Sequence, residues 1–98
     1  MPDVEDHDEP VEEEGAEAAR VRAAFGTVLR VFRARAGLHV AELARNARVS
    51  RRHLSQVEAG EKDPGLVWQR KVARALGVRL AALHAALDDE LGDEHPGR

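Results

Sequence analysis

The sequence predicts an all-α protein, a compact bundle of about five short helices set between two acidic tails. Three observations predict it. Apolar residues recur at helical spacing in successive stretches, no stretch alternates with period two, and glycine, proline or a capping residue stands at the boundaries. The chain has 98 residues, which is room for one small domain with one modest core.

Residues 1–19 hold nine carboxylates and no lysine or arginine, and a segment with so little to bury is expected to be a disordered tail. The domain proper is expected over residues 20–87. Val21, Ala24, Phe25, Val28, Leu29 and Phe32 form the i, i+3/i+4, i+7 stripe of a first amphipathic helix that ends at Gly37. A shorter second helix fits Val40–Ala47, with Val40, Leu43, Ala44 and Ala47 inward. Ser50 then caps a third helix over Arg51–Ala59, anchored by Leu54 and Val57 and stopped by Gly60. Glu61 to Pro64 reads as a turn, and Pro64 is suited to open the fourth helix. Trp68, Val72, Ala75 and Leu76 are its stripe and Gly77 its end, while Leu80, Leu83 and Leu87 mark a short fifth helix. Residues 88–98, with five acids and one arginine, form the C-terminal acidic tail. Because the chain has only three aromatic residues, Phe25, Phe32 and Trp68 are expected to supply much of the core volume.

The net charge of −3 hides a sorted distribution. Between residues 20 and 87 there are 14 basic side chains against four acids (Glu42, Glu58, Glu61, Asp63), a net +10. That excess is larger than solubility requires and points to a polyanionic partner. Other classes find little support. Cysteine is absent, and His7, His39, His53, His84 and His95 include no i, i+3 or i, i+4 pair, so neither a metal site nor any other cofactor is expected. No Ser/His/Asp arrangement converges in the body, which argues against an enzyme. The longest unbroken apolar run, Leu80–Leu83, is far too short for a bilayer, so no membrane partner is expected and the default location is the cytoplasm.

Further pieces stand in order along the chain: Leu29-Arg30-x-x-Arg33, Gly37-Leu38, Glu42-Leu43-Ala44 and Val49-Ser50. They continue with Leu54-Ser55-x-x-Glu58-x-Gly60, Pro64 and Val72-Ala73-x-Ala75-Leu76-Gly77-Val78. As a set at these spacings, the stretch from about Phe25 to Leu83 resembles the Cro/repressor-type helix-turn-helix family, also called the xenobiotic-response-element family. The resemblance covers roughly three-fifths of the chain. Elementary physics suits it. Two short helices meeting at a steep angle need a small residue, Ala44, an inward hydrophobe in the turn, Val49, and a cap, Ser50.

The resemblance implies a sequence-specific transcriptional regulator that binds double-stranded DNA. Arg51, Arg52, Ser55 and Gln56 fall where the family's base-reading side chains sit; Arg suits guanine and Gln suits adenine in the major groove. Lys62, Arg48, His39 and Ser50 are the candidates for backbone contact. His53 either faces the groove or covers the helix. Arg33 and Glu58 are the family's charged pair, expected to join the first helix to the end of the recognition helix. Three positions depart from the pattern. His39-Val40 replaces a usual Ser/Thr-Gln, Arg48 stands where the turn usually has Gly, and Gln69 stands where Leu is common.

One recognition helix reads few bases, so a homodimer on a palindromic operator is expected. Leu80, Leu83 and Leu87 either form its interface or close the monomer core. The alternative function is an antitoxin, or a coregulator that engages a protein partner through the acidic tails.

Overall fold

A computed structural model describes residues 12–92 of the chain. Five helices follow one another: α1 (Glu12–Arg35), α2 (Val40–Ala47), α3 (Arg51–Glu58), α4 (Leu66–Leu76) and α5 (Leu80–Leu91). Among the described residues there is no strand. α1 packs on α3 and α5, while α4 covers α2 and meets α5.

Each helix sends its stripe into one core. Phe25, Val28 and Leu29 of α1 meet Leu43, Ala44 and Ala47 of α2, Leu54 and Val57 of α3, Val72 and Ala73 of α4 and Leu83 of α5. The aromatic residues contribute less than expected. Only Phe25 of the three is buried; Phe32 and Trp68 lie at the margin, and the largest fully enclosed side chains are Leu29, Leu43, Leu54 and Leu83. Leu83 belongs wholly to the monomer core, with Leu80 and Leu87 half-buried beside it.

Two expected boundaries shift. α1 begins at Glu12, so the tail expected over residues 1–19 gives way to helix from that point. Glutamate and alanine are good helix formers, carboxylates suit the positive end of the helix, and Arg20 pairs with Glu17 at 3.1 Å. Arg20 also donates to the carbonyl of Leu91 at 3.3 Å, which ties this added length to the end of α5. α5 likewise runs past residue 87 to a cap at Gly92. Residues 1–11 and 93–98, where the remaining tail expectations fall, lie outside the described residues.

Pro64 does not open α4. The helix starts at Leu66 behind Gly65, whose carbonyl accepts the N–H of Gln69 at 3.0 Å. The Pro64 carbonyl is instead held by the Gln69 side-chain amide at 3.0 Å, which keeps the proline outside the helix.

Candidate nucleic-acid interface

α3 has one inward and one outward side. Leu54 and Val57 are enclosed in the core, which leaves Arg51, Arg52 and Ser55 exposed and Gln56 half-buried. Ser50 sets the start of the helix, its Oγ accepting the N–H of His53 at 3.0 Å. The hydroxyl that was a candidate for backbone contact is thus engaged as a cap. The His53 ring lies 5.2 Å from the Trp68 ring at 45°, so it covers the flank of α3. The exposed side of the first turn and a half is left with two guanidinium groups and a hydroxyl.

What orients this helix comes from α1. Arg33 Nε donates to Glu58 Oε2 at 2.7 Å and its Nη2 donates to Oε1 at 2.9 Å, a bidentate pair. Glu58 is only 6% exposed, and the hydrogen bonds it accepts raise the Arg33 pKa above its ordinary value against the opposing effect of burial. Arg33 also donates to the carbonyl of Leu38 at 3.0 Å, fastening the link between α1 and α2.

Two more arginines reach the same end of α3. Arg30 Nη1 donates to the carbonyl of Glu58 at 2.9 Å, and Arg22 Nε to that of Gly60 at 3.3 Å. The last carbonyls of a helix carry partial negative charge and lack partners within the helix, so cations there are favourable. Between these arginines stands Gly26, where an added Cβ would lie 2.4 Å from the Glu58 carbonyl oxygen and 2.7 Å from that of Val57. The roles of Arg22, Gly26 and Arg30 were not read from the sequence. Their signal was a spacing of four residues, which puts all three on one face of α1.

The turn before α3 carries its own cost. Arg48 caps α2 with φ 60° and ψ 47°, the only non-glycine residue at positive φ among the described residues. A side chain in that region costs on the order of 1 kcal/mol. Its backbone N–H closes α2 onto the Arg45 carbonyl at 3.2 Å, and that of Val49 onto the Ala44 carbonyl at 3.0 Å. The guanidinium is exposed.

His39 precedes α2, its N–H donating to Glu42 Oε1 at 2.8 Å and its ring exposed. Lys62 is exposed in the loop after α3. Gln69, in place of the usual leucine, pairs through Oε1 with His84 Nε2 at 2.6 Å and so joins α4 to α5 with a polar contact. Among the described residues, no His, Cys, Asp or Glu group is arranged to hold a metal ion, and no helix is long and apolar enough to cross a membrane.

A family model described as a helix-turn-helix domain matches residues 24–87. Among solved structures, the clp gene regulator ClgR from Corynebacterium glutamicum is 35% identical with a TM-score of 0.70, over 74% of this chain and 77% of that one. A second crystal structure of ClgR gives 0.69 over 72% of this chain and 91% of that one. The restriction-modification controller protein C.AhdI from Aeromonas hydrophila is 32% identical with a TM-score of 0.62, over 63% of this chain and 94% of that one. No curated protein sequence matches the chain.

Proposed function

The chain belongs to the helix-turn-helix domain family, and from that premise we propose that it regulates transcription by binding a palindromic operator as a homodimer. The observation that carries this reading is the exposed start of α3, where Arg51, Arg52 and Ser55 project from a helix clamped at its other end by Arg33 and Glu58. With Gln56 beside them, these side chains read base edges in the major groove. Lys62, Arg48, His39 and the Ser50 region set the register on the phosphates. α5 supplies the dimer contact through the exposed parts of Leu80 and Leu87. The similar structures, a gene regulator and a controller protein, support the same class.

The test is selection of bound duplexes from a random oligonucleotide pool, followed by sedimentation of the complex. Inverted half-sites bound by two chains are expected. Recovered sequences without a shared motif would overturn the reading.

A further inference from the structure

Beside the turn that leads into α3 lies a shallow depression lined by Asn46, Ala47, Arg48, Lys71, Arg74 and Ala75. Its two alanines leave the space open, and its rim carries three cations, Arg48 from the turn after α2 and Lys71 and Arg74 from α4. Among the described residues, the side chains of Arg48, Lys71 and Arg74 make no ion pair or hydrogen bond. α4 has no acidic residue at all, so Lys71 and Arg74, one turn apart, repel each other without relief from their own helix. The Ala44 and Arg45 carbonyls near the end of α2 already accept the N–H groups of Val49 and Arg48. Arg48 holds its place despite a backbone conformation that suits glycine. Strain kept at an exposed cationic side chain is the kind of feature that function retains.

We propose that Arg48, Lys71 and Arg74 form a second anion site, which takes backbone phosphates of the DNA whose bases α3 reads. Position supplies the argument for DNA. Arg48 precedes Arg51 by three residues, at most about 11 Å of chain, so a groove that admits the start of α3 brings a phosphate strand against the turn. The recognition helix, the turn and the outer side of α4 then form one continuous cationic strip, with α4 extending the contact beyond the helix-turn-helix itself. Phosphate contacts carry no sequence information but fix orientation on the duplex, so this site sets how α3 enters the groove. The inference rests on the DNA-binding reading above, and the test separates the two.

The experiment measures binding of the full chain and its Lys71→Ala/Arg74→Ala variant to the selected operator duplex and to a scrambled duplex, across a salt series. Both positions are exposed, and a circular dichroism melt checks that the variant is folded. The variant should bind both duplexes roughly tenfold more weakly at low salt and leave their ratio unchanged. The slope of log affinity against log salt should become shallower by about 1.8, at roughly 0.9 per phosphate. Arg79→Ala, which removes one positive charge at the start of α5, should leave the slope unaltered.

An unchanged slope in the double variant, with discrimination still lost in Arg51→Ala, would overturn the phosphate site and leave the operator reading intact. A shallower slope in a protein that prefers no sequence would do the reverse. Tighter DNA binding by the double variant would overturn the site too, because the depression would then serve an acidic peptide that competes with DNA. A slope change in Arg79→Ala that is equal per charge removed would assign the effect to overall charge and likewise overturn it.

Discussion

At Gly26 the backbone of α1 rests directly on the Glu58 carbonyl, with only 2.4 Å between that oxygen and the place where a Cβ would be. Neither atom belongs to a flexible side chain, so any larger residue must push the recognition helix away. Gly26→Ala should destabilise the protein by about 1–3 kcal/mol, despite the gain of up to about 1 kcal/mol that alanine brings to a helix. Gly15 lies in the same helix with nothing near its Cβ position, so Gly15→Ala should stabilise by about 0.5–1 kcal/mol. Thermal melts of the two variants should move in opposite directions. A shared direction would refute the close crossing.

Removing the charge of Glu58 should reach both stability and binding. Glu58→Gln leaves Arg33 without its bidentate anion at a site that is 6% exposed, and the loss should be about 3 kcal/mol. DNA affinity should fall too, because the clamp that aims α3 is loosened. Denaturant unfolding together with a binding titration checks this. An unaltered midpoint would mean that the pair contributes nothing to the fold.

Arg48 sets stability against binding. Arg48→Gly relieves a side chain held at φ 60° and should stabilise by about 0.5–1 kcal/mol. The same change removes the phosphate contact proposed for Arg48, so affinity should drop for operator and scrambled DNA alike. A variant that melts higher and still binds as well as the parent would free Arg48 of any role on DNA.

Base readers and phosphate holders should separate in competition. Arg51→Ala and Arg52→Ala are each expected to weaken operator binding by about 1–3 kcal/mol and to lower the operator-to-scrambled ratio. Lys62→Ala should weaken both duplexes equally and leave that ratio as it was. If both arginine variants kept the full ratio, the base-reading side chains would have to lie elsewhere on the protein.

The parts of this molecule legible in its sequence are those governed by near neighbours. The bounds of α2, the Ser50 cap, the inward Leu54 and Val57, and the exposed Arg51 and Arg52 all follow from helical period and capping within a few residues. The Arg33–Glu58 pair, 25 residues apart, was anticipated only through the order of motifs that marks the family. The approach at Gly26, the hold of Arg22 and Arg30 on the end of α3, and the meeting of Arg48 with Lys71 and Arg74 depend on where separate helices come to rest. A period of 3.6 residues tells which side of a helix turns inward, but not which carbonyl it will touch. The sequence alone therefore determined the number and order of the helices and the sides they turn inward. The tertiary structure decided how α3 is aimed, because the Glu58 carbonyl and carboxylate at its end and the Gly60 carbonyl beyond it find their partners on α1, a helix far away in the chain.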